Sequence, residues 1–295
     1  MNSQKPLVFF GTEDFSLPSL ETLIEAGWPI AIVVTKPDAP KGRGLQIAQP
    51  AVKKLAEAHD IKVLQPEQVE ILNEELRHLQ PTHGVLVAYG KIVPKSTIDI
   101  FPGGIINVHP SLLPKYRGPS PIETAILNGD QKTGISLMKL TPKMDAGPVY
   151  KQLAWPLSGT EDRLELYNKL SEAGAKLLVE NLPHIVDGRL EPLEQDHSEA
   201  SYSCLLKKAD GLIDWQSEPA LQIERKVRAY LGFPKTRAMI WDKYEVVITK
   251  ARVAEDENNG RLVVACSDGF VEILELIAPS GRRMSGADFK LGHKA

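Results

Sequence analysis

Apolar runs and amphipathic helical patterns alternate along the first 160 residues of the chain. The first run, at 7–10, is apolar at every position, which is typical of a strand buried on both faces of a sheet. Helical patterns separate the later runs, and this alternation predicts a parallel sheet covered by helices. The predicted strands are at 7–10, 30–35, 62–64, 84–88, 105–109, 133–140 and 149–157, and the predicted helices begin near Leu17 and cover 51–58, 69–79, 123–127 and 162–186. The last helix has apolar positions at Leu164, Leu166, Leu170, Leu177, Leu178 and Leu182.

The pattern changes after residue 187 and predicts a second domain. Residues 188–208 are rich in serine and acidic residues, a composition typical of a linker. A helical pattern at 220–230 and short strand-like runs follow, and together they predict a small β-barrel. These runs lie at 236–240, 244–251, 262–265 and 271–276. We therefore predict an α/β domain at 1–187, a linker at 188–208 and a barrel domain at 209–295.

Composition narrows the class of protein. With 295 residues, 42% of them hydrophobic, the chain is long enough to build two cores. Its two cysteines, Cys204 and Cys266, show no metal-ligand spacing, which favours a reducing compartment over a disulfide framework or a zinc site. The early apolar run at 7–10 is too short for a membrane span or a signal peptide. We expect a cytoplasmic protein without a membrane anchor.

The predicted strand at 105–109 ends in candidate chemistry. Side chains alternate faces along a strand, so Asn107 and His109 should project to the same side. Pro110 cannot extend the hydrogen-bond ladder, which places both groups at the carboxyl end of the strand, where open α/β sheets bind their ligands. A turn-forming pair without catalytic function is the alternative. The apolar loop that follows is built like a pocket wall.

The sixteen residues GGIINVHPSLLPKYRG at 103–118, taken with LTPKMDAGPV at 140–149, resemble the formyltransferases that use a formylated tetrahydrofolate. The resemblance extends over nearly the entire chain, and it is greatest to the members whose acceptor is initiator methionyl-tRNA. It implies a Rossmann-like catalytic domain with a mostly parallel sheet, followed by an OB-like C-terminal domain. It also implies transfer of the formyl group of 10-formyltetrahydrofolate to the free α-amino group of that tRNA, in support of translation initiation.

The same resemblance implies the residues of the active site. Asn107, His109 and Asp145 correspond to its catalytic residues, although an aspartate in a Pro/Gly-rich loop is on local grounds more typical of a turn. Backbone groups of two segments would read the pterin ring of the donor. Those segments supply the candidate donor-binding residues Tyr89, Gly90, Ile92, Ser111, Leu112, Leu113 and Pro114.

Two basic segments are candidates for contacts with tRNA. The Pro/Gly-rich loop at 36–46 has the composition of a solvated connector, but the resemblance implies that Lys36, Lys41 and Arg43 reach the acceptor arm. A second segment, at 225–252, holds eight cations and two anions. It predicts either a basic face or a solvated cluster of charges.

Formyl transfer between nitrogens is an acyl transfer, and it sets the roles that these residues could fill. Asn107 and His109 can donate to the oxygen that gains negative charge, and His109 held by Asp145 can move the proton of the attacking amine. No metal or redox cofactor is required. A Ser111–His109–Asp145 hydrolase is disfavoured because Ser111 lacks a G-x-S-x-G turn.

Three other interpretations of the chain remain open. It could formylate glycinamide ribonucleotide or a nucleotide amino sugar, or it could be an RNA-binding module without catalysis. Glycinamide ribonucleotide formyltransferases normally lack a C-terminal barrel domain, and both small acceptors leave the basic segments without a use. The intact Asn107, His109 and Asp145 argue against a non-catalytic module. We expect the enzyme to be a monomer.

Overall fold

The computed structural model describes residues 6–41, 46–257 and 260–293. The chain divides into two compact units, each assembled from more than one segment. The first comprises Met1–Pro119, Thr133–Trp155 and Tyr167–Ser203, and the second comprises Ser120–Lys132, Pro156–Leu166 and Cys204–Ala295. The domain boundaries predicted at 187 and 208 stay predictions.

A seven-stranded, mainly parallel sheet is the central sheet of the α/β fold, which confirms the predicted α/β class. In chain order its strands and those of a small hairpin are β1 (Leu7–Gly11), β2 (Ile30–Val34), β3 (Ala39–Lys41), β4 (Gln46–Ala48), β5 (Lys62–Leu64), β6 (His83–Val87), β7 (Gly104–His109), β8 (Lys132–Lys139) and β9 (Val149–Pro156). The sheet order is β5-β2-β1-β6-β7-β8-β9. The five strands from β5 to β7 pair in parallel, and β8 pairs antiparallel with β7.

The helices follow the predicted pattern with a few differences. They are α1 (Leu17–Glu25), α2 (Ala51–Ala58), α3 (Asn73–Leu79), α4 (Lys95–Ile98), α5 (Pro121–Asn128) and α6 (Arg163–Val186). The helix predicted at 69–79 is divided, because Val69–Leu72 forms a 3₁₀ turn before α3 begins. In α6 the predicted apolar positions from Leu166 onward are buried, whereas Leu164 is 44% exposed.

A hydrophobic core packs against the parallel strands of this sheet. All residues of β1 and β7 are buried, as expected for strands with a neighbour on each side. Val8, Phe10 and Ile105 pack together there with Leu76 of α3 and with Tyr89. Each buried aliphatic side chain of this kind contributes roughly 1.5–3 kcal/mol through the removal of its apolar surface from water. This core fixes the carboxyl ends of β6 and β7 relative to one another.

The basic segment at 36–46 is partly regular, unlike the loop that its composition predicts. β3 and β4 pair antiparallel, with Ala39 opposite Ala48 and Lys41 opposite Gln46. Pro40 is tolerated in β3 because the hairpin has only two strands and leaves an edge free of ladder bonds. Arg43 lies outside the described residues.

The second unit contains the predicted antiparallel β domain, which is confirmed. Its elements are α7 (Ala220–Ala229), β10 (Thr236–Ile240), β11 (Tyr244–Ala254), β12 (Val263–Cys266), β13 (Gly269–Ile277), β14 (Arg283–Ser285) and α8 (Gly286–Gly292). The sheet order is β10-β11-β13-β12, with β14 also paired to β13. Val227, Ile248 and Phe289 lie in its core. The sequence pattern missed β14 and α8, which are short elements next to the chain terminus.

Within the described ranges, no helix combines the length and the apolar character needed to cross a bilayer.

Candidate active site

Strand β7 carries two polar side chains into a buried position. Asn107 and His109 are 6% and 5% exposed, although β7 is otherwise an apolar strand between β6 and β8. Because they are two residues apart, both project from the same face of the sheet. Pro110 follows at once, so the pair marks the carboxyl end of the strand.

Asp145 joins this strand end from the loop between β8 and β9. Its backbone is left-handed, with a φ of 45° that is uncommon for a residue other than glycine. One carboxylate oxygen, Oδ2, accepts a hydrogen bond from the Gly118 backbone N–H at 2.8 Å. The other, Oδ1, accepts from Asn107 Nδ2 at 3.3 Å. Asp145 is thus both a turn residue and a partner of the candidate catalytic strand.

The His109 ring lies between two oxygen atoms of the chain. Its Nε2 is 3.0 Å from the Tyr116 carbonyl oxygen, which can only accept, so Nε2 carries a proton and donates it. Its Nδ1 is 3.8 Å from Asp145 Oδ2, a separation longer than a hydrogen bond but within the range of an ion pair. A doubly protonated His109 would direct both N–H groups at oxygens.

The loop after β7 is held by side chains of the neighbouring strands. The Leu113 N–H donates to Ser136 Oγ at 3.0 Å, and the Leu113 carbonyl accepts from Gln152 Nε2 at 2.8 Å. Ser136 Oγ in turn donates to the Ser111 carbonyl at 2.6 Å. The Ser111 hydroxyl donates to the Lys115 carbonyl at 2.6 Å and so is not directed at His109. This arrangement does not provide the nucleophile that a Ser111 hydrolase would need.

The other candidate donor-binding segment follows β6. Tyr89 is fully buried, and its ring packs edge-on against Phe10 with ring centres 5.7 Å apart. Burial raises the pKa of its phenol to about 12, and its hydroxyl has no hydrogen-bond partner among the described residues. The Tyr89 carbonyl accepts from Thr12 Oγ1 at 2.9 Å. Its ring is therefore a core element, and it is the backbone of this segment and the 81% exposed Ile92 that can face a ligand.

The structure brings Lys36 against that same segment. Its ammonium lies beside Gly90, which has a left-handed φ of 70°, so a Cβ at position 90 would overlap the Lys36 side chain. Lys36 is half-buried, at the end of β2, rather than fully displayed to solvent. Of the three candidate tRNA-binding residues, Lys41 is described as the last residue of β3 and Arg43 lies outside the described residues.

At least four of the cations at 225–252 form ion pairs within the second unit, and three of their acidic partners lie outside that segment. This lowers the local positive charge below the value that the sequence count gives. The pairs are Lys226 with Glu218 at 2.5 Å, Arg228 with Glu224 at 2.6 Å, Arg237 with Glu245 at 3.4 Å and Arg252 with Glu272 at 2.8 Å.

Sequence reasoning missed a second polar group next to Asp145. It consists of Arg117, Gln195 and His197, and Arg117 is 1% exposed. Gln195 and His197 lie in the segment whose composition predicts a linker, about 80 residues from Arg117. The pattern of neighbouring residues in the sequence cannot predict a contact between positions that far apart. The one signal in the sequence is Arg117 itself, a cation in the loop that follows β7.

The described residues contain no group of three or more histidine, cysteine or acidic side chains placed to hold a metal ion. Cys204 and Cys266 are free thiols, the first exposed and the second half-buried. Burial raises the pKa of the Cys266 thiol, which is the environment of an inert cysteine rather than a reactive one.

Comparison with known proteins agrees with this geometry. Residues 4–182 match the family described as formyl transferase, and residues 205–294 match the formyl transferase C-terminal domain. The methionyl-tRNA formyltransferase of Pelobacter propionicus is 40% identical over 301 residues, spanning 98% of this chain and 94% of the relative. That of Bacillus velezensis is 39% identical over 300 residues, spanning 97% and 94%. A solved N-formyltransferase from Helicobacter canadensis, in complex with folinic acid and dTDP-3-aminofucose, superposes with a TM-score of 0.70. It is 20% identical over 91% of this chain and 98% of that one, a likeness that concerns the fold.

Proposed function

This chain belongs to the formyl transferase family, and from that premise we propose that it formylates the α-amino group of initiator methionyl-tRNA with 10-formyltetrahydrofolate as donor. The observation that carries the chemistry is the buried convergence of Asn107 and His109 on the Asp145 carboxylate. The acceptor is supported by relatives named methionyl-tRNA formyltransferase that align over nearly the full length of both chains. The product would serve translation initiation.

The reaction forms one bond and breaks another at the formyl carbon. The acceptor nitrogen adds to that carbon, negative charge develops on its oxygen, and the bond to the folate N10 then breaks. We assign Asn107 as a fixed donor to this oxygen, since its amide has a second N–H besides the one directed at Asp145. In a protonated His109 both N–H groups face the Tyr116 carbonyl and Asp145, so we assign this donor role to Asn107. Each such donor typically contributes about 3–4 kcal/mol to the stability of the transition state.

A proton must also pass from the attacking nitrogen to the leaving nitrogen. A free α-ammonium has a pKa near ~8, so a modest general base is enough at neutral pH. We assign this task to His109 Nδ1, the ring nitrogen that the Tyr116 hydrogen bond leaves unprotonated. Asp145 Oδ2 faces that atom and stabilises the imidazolium until the proton reaches N10.

The donor site that we propose lies at the ends of β6 and β7. These strands are parallel neighbours, so the segment with Tyr89, Gly90 and Ile92 is adjacent to the turn at 111–114. The hydrogen bonds that Ser136 and Gln152 make to Leu113 hold that turn in one conformation. Backbone groups held in fixed positions suit the recognition of a flat heterocycle such as the pterin ring.

We assign the catalytic domain to 1–187, the linker to 188–208 and a tRNA-binding domain to 209–295. We expect a monomeric enzyme that works in the cytoplasm, where initiator tRNA is aminoacylated and used.

The acceptor can be tested directly with purified protein and 10-formyltetrahydrofolate. Methionyl-tRNA is expected to exceed glycinamide ribonucleotide and a nucleotide amino sugar by at least about 100-fold in kcat/KM, a difference of about 2.7 kcal/mol. N-acetylated methionyl-tRNA is the control, because it presents the same tRNA without a reactive amine. Preference for a small acceptor would refute the tRNA assignment while leaving formyl transfer in place.

The basic segment at 36–46 provides a second test. The double variant Lys41→Ala/Arg43→Ala is expected to raise the KM for methionyl-tRNA by roughly tenfold and to weaken its dependence on salt, because phosphate contacts release counterions. Lys36→Ala should raise the KM for methionyl-tRNA and, in addition, the KM for the donor. The second effect is expected because the Lys36 ammonium lies against Gly90 of the candidate donor-binding segment. Lys54→Ala, at an exposed position of α2, is the matched control. An unchanged KM for methionyl-tRNA in the double variant would show that the basic segment at 36–46 does not take part in tRNA recognition.

A further inference from the structure

A buried guanidinium lies beside the candidate catalytic carboxylate. Arg117 donates from Nε and Nη2 to Gln195 Oε1, at 3.1 and 2.6 Å. Its Nη2 is also 2.8 Å from His197 Nδ1. A guanidinium has donors and no acceptor, so the atom of Gln195 that faces it must be the amide oxygen. Arg117 therefore fixes which way the Gln195 amide points.

The opposite end of that amide faces the Asp145 loop. Gln195 Nε2 donates to the Asp145 carbonyl at 2.9 Å and to the Gly147 carbonyl at 2.6 Å. Gln195 is 8% exposed, so these bonds form away from bulk water. Both of its N–H groups and its oxygen are used. A buried amide with every group paired is a rigid connection between two segments.

The segment that carries Gln195 is itself anchored. Arg117 pairs in parallel with Tyr202, through its N–H to the Ser201 carbonyl at 2.9 Å and its carbonyl to the Ser203 N–H at 2.8 Å. The Tyr116 N–H donates to Ser201 Oγ at 3.0 Å. The predicted linker thus runs along the site loop as a strap, here defined as residues 195–203.

The conformation of the Asp145 loop depends on contacts with residues outside the loop. Asp145 adopts a left-handed conformation that a non-glycine residue rarely takes unless its surroundings impose it. Its carboxylate must keep the Gly118 N–H at 2.8 Å and Asn107 at 3.3 Å while facing His109. A small rotation of the loop would lose these contacts together.

We propose that Gln195 is a positioning residue for Asp145, which holds the loop by two hydrogen bonds while Arg117 fixes its orientation. The inference rests on the proposed function, since it gives Asp145 a part in formyl transfer. The amide of Gln195 is fully used by Arg117 and by the Asp145 and Gly147 carbonyls, so it acts on the rate through the placement of the Asp145 carboxylate.

Gln195→Glu tests the proposal with little change in volume. The carboxylate keeps an oxygen for Arg117 and adds a charge opposite to that of the guanidinium. Its second oxygen, however, meets the Asp145 and Gly147 carbonyls and cannot donate to them. The expected result is a fall in kcat of about 10- to 100-fold, with the KM for donor and acceptor within roughly threefold of wild type.

A double-mutant cycle separates positioning from general destabilisation. If Gln195 acts through Asp145, Gln195→Glu should lower kcat by less than about twofold when Asp145→Asn is already present. Gln80→Glu, at an exposed position directly after α3, makes the same change of charge and should leave kcat unchanged in both backgrounds. An equal loss from Gln195→Glu in the two backgrounds would overturn the proposal.

A readout that does not depend on the acceptor accompanies the cycle. Amide hydrogen exchange in residues 141–149 should become faster in Gln195→Glu and not in Gln80→Glu, and unchanged exchange would count against positioning. If wild type prefers another amine, the tRNA assignment fails and the cycle is run with that amine. Should Gln195→Glu not fold, Gln195→Asn replaces it, because the shorter amide cannot reach both Arg117 and the loop.

Discussion

Asn107→Ala is expected to lower kcat by about 100- to 1,000-fold, the range typical for removing one donor to a developing oxyanion. The amide of Asn107 is 6% exposed and is held on a strand with neighbours on both sides, so it is preorganised. Because the charge on the formyl oxygen is largest in the transition state, the loss should appear in kcat. The KM for 10-formyltetrahydrofolate should change by no more than roughly threefold.

Steady-state kinetics with saturating methionyl-tRNA measure this effect. Asn168→Ala, an exposed position on α6, is the matched control and should behave as wild type. Asn107 also donates to Asp145, so the unfolding midpoint of the variant is measured beside its rate. A defect confined to donor affinity, with kcat intact, would show that Asn107 binds the folate and does not stabilise charge.

Local periodicity was sufficient to find the strand end. The alternation of side chains along 105–109 places Asn107 and His109 on one face, and in the structure both face the same carboxylate. Pro110 marks where the strand must stop. These inferences use neighbours within a few residues, where backbone geometry leaves few choices.

Contacts between distant segments were not predictable in this way. On local grounds Asp145 is a turn residue, and its left-handed φ of 45° agrees with that; nothing in its own loop shows that Asn107 is its partner. Gln195 lies in a segment with linker composition, yet it is buried against Arg117. The composition of a segment indicates how exposed its residues are on average. Whether a single amide such as that of Gln195 is buried depends on which distant residues the fold places beside it.

Charge counts along the sequence were misleading for the same reason. The net charge of 225–252 leaves out Glu218, Glu224 and Glu272, which lie outside that segment and pair with three of its cations. The resemblance assigns Lys36 to tRNA contacts, and in the structure its ammonium lies against Gly90. A net charge on a stretch of sequence therefore predicts a basic surface only after the ion pairs of the fold are known.

Asp145→Asn is the second large effect that we expect, a fall of about 100-fold or more in the rate of the chemical step. The amide has the same shape as the carboxylate, but one of its two atoms is now a donor. Where Asp145 accepts from Gly118 at 2.8 Å and from Asn107 at 3.3 Å, the amide can accept from only one of them without opposing a second donor. It also cannot balance an imidazolium at His109.

Single-turnover kinetics are the decisive measurement for Asp145, because they separate chemistry from product release. The rate should stay low across the pH range in which wild type is active, since raising the pH deprotonates the amine but does not restore a carboxylate beside His109 Nδ1. Asp60→Asn is a fitting control: Asp60 is exposed and also left-handed, with a φ of 55°. Wild-type single-turnover rates in Asp145→Asn would exclude the carboxylate from proton transfer and leave His109 to work with the Tyr116 carbonyl alone.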